Sequence, residues 1–326
     1  MMAAARHRAM AANGAERRAA LVELLAACCP GCRIAVDEPL APYTTFRVGG
    51  PAWAVVEPVS AASLAALVTG LGERQIPWWI LGRGSNVLVA DGGLAGVAIV
   101  LGRDFAAITP VAGQRHQLRV QAGCSLARLL RYCQEHGLGG LEFAAGIPGT
   151  VGGAVKMNAG AWGREIGALV TELTVMDSQG GCATIAAVQA GFAYRQSIGL
   201  GGRIVVEAVL EFTPRSRELI DAECQAAISG RLERQPLQVA SAGSFFRNPA
   251  GHAAGRLIEQ AGLKGLAVGG AMVSEKHANF IVNTGTATCG DILDLMRLVQ
   301  KKVYLQTGIM LEPEVHLLGP AGEGGG

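Results

Sequence analysis

The chain has 326 residues, 50% hydrophobic and 17% charged, with a net charge of +2, and its mean hydropathy of +0.32 supplies apolar material for more than one packed core, which excludes a wholly disordered chain. With a pI near 8.1 and no Lys/Arg tract, it lacks the basic stripe that nucleic-acid binding requires. No apolar run reaches the ~18–20 residues that cross a bilayer, so a soluble, cytoplasmic protein without membrane insertion is expected.

Residues 1–20 are rich in Ala and Arg with one acid, Glu16, and read as an extension, with a transit peptide as the alternative. Leu21, Leu24, Leu25 and Cys28 then recur at helical spacing. Next come a strand over Ala52–Glu57, a helix from Ser60 to Gly72 and short strands near Trp78–Leu81, Val87–Ala90 and Val97–Leu101. Leu118–Ala122 reads as a strand, and Ser125 caps a helix that Gly137 stops. Strands over Ala168–Met176 and Ile204–Phe212 precede a change of character at Pro214–Ser216. Helices over Arg217–Arg234, Ala253–Gly262 and Asp291–Gly308 dominate the remainder. In Ile309–Leu318, Glu312, Glu314 and His316 alternate with Leu311, Val315 and Leu317. This divides the α+β chain into an N-terminal extension and helix (1–35), a first domain (36–214), a C-terminal domain (215–319) and a disordered tail (320–326). A monomer is expected.

The eight cysteines lie mostly in apolar segments, as reduced core thiols do. Cys29-Pro-Gly-Cys32 has redox spacing but follows a helix rather than opening one. No second ligand pair completes a zinc site, and no metal is expected.

The 46 glycines are about twice the usual ~7% share. They concentrate in Arg47-Val-Gly-Gly-Pro51, Gly82-Arg-Gly-Ser-Asn86 and Gly146-Ile-Pro-Gly-Thr-Val-Gly-Gly153. Each is a tight turn or a place where backbone amides face an anion. Three together, beside Thr45, Ser85, Asn86, Thr150 and Asn158, point to a phosphate-bearing cofactor. The P-loop, the dinucleotide G-x-G-x-x-G, H-E-x-x-H and G-x-S-x-G motifs are all absent, which removes their chemistries.

Thr44-Thr-Phe-Arg-Val-Gly-Gly-Pro51, Leu81-Gly-Arg-Gly-Ser-Asn86, Gly146 to Gly153 with Met157-Asn-Ala-Gly160, Tyr194-Arg-Gln-Ser197, Gly243-Ser-Phe-Phe-Arg-Asn-Pro249, Val273-Ser-Glu-Lys-His-Ala-Asn279 and Leu311-Glu-Pro-Glu-Val315 resemble, in order, the motifs of the UDP-N-acetylenolpyruvoylglucosamine reductase family. The short step from Tyr194-Arg195 to the Ile204–Phe212 strand resembles its compact type II form, which lacks the tyrosine loop of type I. The resemblance implies an FAD-binding domain of the vanillyl-alcohol-oxidase/PCMH type, built from two α+β subdomains, followed by a substrate domain. It implies non-covalent FAD, NADPH as hydride-donating co-substrate, and reduction of UDP-N-acetylglucosamine enolpyruvate to UDP-N-acetylmuramate in peptidoglycan precursor synthesis.

It also implies roles for residues that spacing alone leaves unassigned. Arg195, alone a surface arginine, would hold the substrate carboxylate with its fork of donors. Ser244, alone a turn residue, would give a proton to the basic α-carbon formed after hydride delivery. Alternation does not choose among Glu312, Glu314 and His316; the resemblance selects Glu314, which beside a substrate carboxylate must be protonated or held by Arg195. FAD would lie on Arg47, Val48, Gly49 and Gly50, on Gly82, Arg83, Gly84, Ser85 and Asn86, on Gly149, Thr150, Gly152 and Gly153, and beside Asn158. Tyr194, Arg234 and Asn248 would bind the UDP-sugar. Arg83 and Arg247 vary among relatives and receive no side-chain role. Lys276 and His277 lie in a matched motif without an assigned contact. A flavin oxidase and a non-catalytic flavin-binding protein are the competing readings.

Overall fold

The computed structural model describes residues 19–319, so the expectations for residues 1–18 and for the tail lie outside it. Residues 19–28 form helix α1, which buries Leu21, Leu24 and Leu25. A strand over Arg33–Pro39 follows and pairs antiparallel with Pro51–Glu57. Parallel pairing then adds Leu94–Val100 and Trp78–Leu81, giving a four-stranded sheet. Leu94–Val100 is buried at Leu94, Val97, Ala98 and Ile99, the near-continuous apolar run of a parallel strand covered on both faces. Helix α2 (Ala61–Glu73) covers one face with Leu64, Leu67, Val68 and Leu71, and starts at a Ser60/Ser63 capping box.

The second sheet is antiparallel, in the order Cys182–Ala186, Val170–Met176, Ile204–Glu211, Gln117–Gln121, Ile108–Pro110. Helix α3 (Leu126–His136) begins where the Ser125 side chain accepts from the Arg128 amide, and it ends at Gly137, whose φ of 64° suits a left-handed cap. The short α4 (Val151–Lys156) is capped by Thr150. Both sheets and α1 contribute to one core. The segment expected as an extension and helix over 1–35 thus holds, from residue 19 onward, that helix, packed into the core, together with the start of an edge strand. The reason is that α1 has an apolar face to bury and Pro51–Glu57 has a free edge.

Helix α5 (Arg217–Arg234) also packs into this first core, through Ile220, Cys224 and Ala227. The second core takes its residues from Ala242 to Val315, with Phe46, Val48 and Leu88 reaching in from the first half. It surrounds α6 (Ala254–Gln260), α7 (Cys289–Thr307) and a small sheet of Ala267–Val268, Ala271–Val273 and Ile281–Asn283. So the core changes hands after α5 rather than at 215, because the helix has its apolar side on the first unit.

Contacts of several kinds tie the units together. Asp91 accepts from the amides of Cys289 (2.7 Å) and Gly290 (2.9 Å), at the start of α7. His316–Leu318 pairs parallel with Val87–Val89. Lys276 Nζ donates to the Leu232 carbonyl in the last turn of α5. A buried network fixes α5 from its other side: Glu142, 2% exposed, accepts from Arg215 (3.0 Å), Arg164 (3.3 Å) and the Gly140 amide (2.9 Å), and Arg215 also meets Glu223 at 2.6 Å.

Cys29 and Cys32 form a disulfide, against the expectation of reduced thiols. The turn that ends α1 brings their Cα atoms to 5.3 Å, within bridging range. Cys124, Cys133, Cys224 and Cys289 are free and buried; burial lifts their thiol pKa values, with Cys133 pushed up to about 12, so they behave as core residues rather than nucleophiles.

Candidate active site

The three glycine-rich loops converge. The Thr45 amide donates to the Gly84 carbonyl at 3.1 Å, and a Cβ on Gly82 would meet Thr150 Oγ1 at 2.6 Å. Glycine at 50 and 84 is required by packing alone, since a Cβ would lie 2.1 Å from the Asp91 and Tyr43 carbonyl oxygens respectively. At Gly149 and Gly153 the nearest atoms to a built Cβ are at 3.6 and 3.5 Å, so nothing in the protein demands glycine there. The amides of Arg83, Gly84 and Ser85 have no acceptor among the described residues. Three successive amides without a protein acceptor, in a loop rich in glycine, fit the pyrophosphate of a dinucleotide cofactor.

Individual members of this set differ. Val48 is buried, its amide and carbonyl both bonded to Thr44 Oγ1, which leaves a cofactor only limited contact. Arg47 and Arg83 are exposed. Asn158 is 1% exposed; its Nδ2 donates to Glu165 Oε2 (2.7 Å) and the Ala193 carbonyl (3.0 Å), and its Oδ1 accepts from the Gly167 amide (2.9 Å). Its side chain is thus committed to holding the residue before Tyr194.

Tyr194 and Arg195 form the tip of a hairpin between Phe192–Ala193 and Gln196–Ser197, with Arg195 at φ 57° and its guanidinium 5.1 Å from the Tyr194 ring centre. After this hairpin one turn, Ile198–Leu200, leads to the strand at Ile204, leaving no room for a long loop. Arg195 Nε lies 3.1 Å from Glu314 Oε1. Burial pushes the Glu314 carboxyl above its usual pKa, while the charges of Arg195 and Arg247 and the hydrogen bond from Arg195 oppose the rise.

The expected strand over Ile309–Leu318 is regular only at His316–Leu318. Residues 312–314 are held instead by the Ser244 segment: Phe246 bridges Pro313, the Arg247 amide donates to Glu312 (2.9 Å), and the Glu314 amide donates to Phe245 (2.8 Å). Asn86, in the cofactor cradle, clasps the same stretch, its Nδ2 donating to the Glu314 carbonyl at 3.1 Å and its carbonyl accepting from the His316 amide at 3.0 Å. Ser244 and Glu314 are thus on paired segments, Arg195 is ion-paired to Glu314, and the cradle abuts all of them. Ser244 is half-buried behind Gly243, at φ 77°.

The expected UDP-sugar residues lie nearby but are more exposed. The Arg234 guanidinium sits 5.8 Å from the Trp162 ring centre, and Asn248 Oδ1 accepts from the Ala254 amide at 3.0 Å, while its Nδ2 has no partner among the described residues. Trp162 and Arg231 were not legible as part of this region. Trp162 is 50% exposed, and buried Arg231, 5.9 Å from the same ring, is spent on the Ala145 and Phe143 carbonyls. His277 accepts from the Asn279 amide and packs against Phe280, a structural part.

Residues 52–186 match the sequence model of an FAD binding domain, and residues 235–318 match that of the C-terminal domain of UDP-N-acetylenolpyruvoylglucosamine reductase. The chain is 45% identical over 291 residues to UDP-N-acetylenolpyruvoylglucosamine reductase 2 of Symbiobacterium thermophilum, covering 89% of this chain and 93% of that one. It is 42% identical over 287 residues to the reductase of Clostridioides difficile, covering 88% and 93%. Among solved structures, the UDP-N-acetylenolpyruvylglucosamine reductase of Thermus caldophilus superposes with a TM-score of 0.75 at 36% identity, covering 88% of this chain and 98% of that one.

Proposed function

The chain belongs to the UDP-N-acetylenolpyruvoylglucosamine reductase family, and from that premise we propose that Arg195, Ser244 and Glu314 are the groups with which it acts on the enolpyruvyl ether. It is an α+β flavoenzyme with a PCMH-type FAD-binding domain that reduces UDP-N-acetylglucosamine enolpyruvate to UDP-N-acetylmuramate with NADPH, a step of peptidoglycan precursor synthesis. FAD, held by the loops at 47–50, 82–86 and 149–153, would supply the hydride chemistry that links NADPH to the substrate double bond.

The protein's own work is to bind, orient and protonate. The observation that carries the reading is the 3.1 Å Arg195–Glu314 pair, set on segments that also present Ser244 and touch the cradle through Asn86. Arg195 keeps its charge throughout the reaction and offers the remaining edge of its guanidinium to the substrate carboxylate. Ser244 Oγ gives its proton to the α-carbon. Glu314, raised by burial, adds no full charge against the substrate when it carries a proton. Tyr194, Arg234 and Asn248 hold the UDP-sugar, and the free amides at 83–85 hold the FAD pyrophosphate. The C-terminal, substrate-binding domain begins after α5, and the enzyme works as a cytoplasmic monomer.

The test is an anaerobic absorbance experiment. NADPH should bleach the oxidised flavin band, and UDP-N-acetylglucosamine enolpyruvate should restore it. A band that only oxygen restores would replace the reductase with an oxidase.

A further inference from the structure

We infer that Arg247 is a second cation of the substrate-carboxylate subsite, facing Arg195 across Glu314. The inference rests on the role given above to Arg195, Ser244 and Glu314, and it starts from the pairing of 245–247 with 312–314. With Phe246 opposite Pro313, the Arg247 amide on the Glu312 carbonyl and the Glu314 amide on the Phe245 carbonyl, Arg247 and Glu314 share one face of a two-stranded ladder as diagonal neighbours.

Glu312, directly opposite Arg247 and exposed, takes no ion pair from it among the described residues. The charge of Arg247 falls instead on Glu314 and His316, lowering the pKa of each against the larger effect of burial on Glu314 and alongside it on His316. Its half-buried guanidinium has no hydrogen-bond acceptor among the described residues. The neighbouring cations are already engaged: Lys156 donates to the Gly201 carbonyl, Arg231 to two main-chain carbonyls and Arg195 to Glu314. His316 rests its Nε2 on Met157 Sδ at 3.2 Å.

Charge balance shows why such a group is needed. With Glu314 ionised, Arg195 is neutralised before substrate arrives, and the enolpyruvyl carboxylate leaves the subsite one negative charge in excess. When hydride adds to the terminal vinyl carbon, the double-bond pair moves onto the α-carbon and its carboxylate, raising the excess to two. Transfer of the Ser244 proton to the α-carbon moves one of these charges onto the serine oxygen, and the excess falls only when water reprotonates that alkoxide. A free guanidinium at the same carboxylate offsets one of these charges in both ground and transition states, and it counts for most where solvent is thin.

The experiment uses the FAD-loaded enzyme and its Arg247→Ala and Arg247→Lys variants. Anaerobic stopped-flow should show bleaching by NADPH within about 3-fold of wild type in both, and flavin reoxidation by the enolpyruvyl substrate about 100-fold slower in Arg247→Ala, with partial recovery in Arg247→Lys. Binding of two ligands then locates the contact. Affinity for UDP-N-acetylmuramate, which has the carboxylate, should fall about 10- to 100-fold in Arg247→Ala, and affinity for UDP-N-acetylglucosamine, which lacks it, should hold. An equal loss for both ligands would move Arg247 to the diphosphate and overturn the inference, as would no loss for either. If wild-type flavin bleached by NADPH were not restored by the enolpyruvyl substrate, the underlying reductase reading would fail first, a result distinct from a variant-specific loss. An unchanged flavin spectrum and melting temperature guard against misfolding, and Arg247→Lys remains if Arg247→Ala does not fold.

Discussion

Glu142 and Glu314 are both buried against arginine, and the surroundings of each are arranged to opposite ends. Glu142 receives two guanidiniums and a main-chain amide, and Arg215 passes the network on to Glu223, whose pKa it lowers. Glu314 has one guanidinium in contact, through a single nitrogen, and burial still leaves its pKa raised. A carboxylate with its acceptors filled on several sides fixes the parts around it, here α5, the 160–165 hairpin and the linker at Arg215. One compensated from one side keeps capacity for a ligand or a proton. The difference separates scaffold from site more sharply than burial does, since both side chains are mostly removed from water.

The comparison can be broken by experiment. The largest expected effect belongs to the open region: Ser244→Ala should slow flavin reoxidation by the enolpyruvyl substrate about 10²- to 10⁴-fold while NADPH still bleaches the band, as read by anaerobic stopped-flow. If both half-reactions survived intact, Ser244 would not be the donor. In the closed region, Glu142→Ala should lower stability by about 3 kcal/mol, because it leaves two arginines without their buried partner. Denaturant unfolding measures this, and the surviving folded fraction should keep both half-reactions within a few-fold of wild type. Glu314→Gln should do the reverse, leaving the melting temperature nearly unmoved and removing an ionisation from the pH–rate profile of substrate reduction; an unaltered profile would count against a titrating role.

The smallest effect is a sign. A carboxyl whose folded-state pKa is raised binds more protons folded than unfolded, so its contribution becomes less favourable as pH climbs through the window above the ordinary carboxylate range. Wild type should therefore gain stability relative to Glu314→Gln as pH falls from 7 toward 4, as measured by paired urea titrations.

Local elements were legible because local physics sets them. Ser60 and Ser125 cap where a serine precedes an apolar periodicity, and Gly137 stops α3 where a left-handed residue is required. Strand Arg33–Pro39 was not, because it pairs along the sheet edge through its backbone and shows half-buried, mixed side chains. The cradle was half legible: glycine clusters marked it, but sequence does not separate Gly50 and Gly84, fixed by neighbouring carbonyls, from Gly149, where a built Cβ would meet only ordinary contacts. Asn158 looked like a ligand for a similar reason, since a polar residue in a glycine-rich motif serves a buried hairpin as readily as a cofactor. Arg195, Ser244 and Glu314 came from family motifs; alternation left Glu314 level with Glu312 and His316. What distinguishes Glu314 is its contact with a residue 119 positions earlier, which no local pattern encodes.

The clasp of Asn86 on the Glu314 stretch has a consequence for how the enzyme comes into being. Its two ends are 228 residues apart in sequence, and closing a flexible loop of that length costs about 5 kcal/mol in chain entropy. Contacts of such high order form late. The amides at 83–85 can be shaped by the first sheet alone, whereas the acid that serves the reaction reaches its place only when the chain's distant strand docks. During refolding, flavin capture should therefore precede the return of substrate turnover, with an interval in which the protein is yellow and idle.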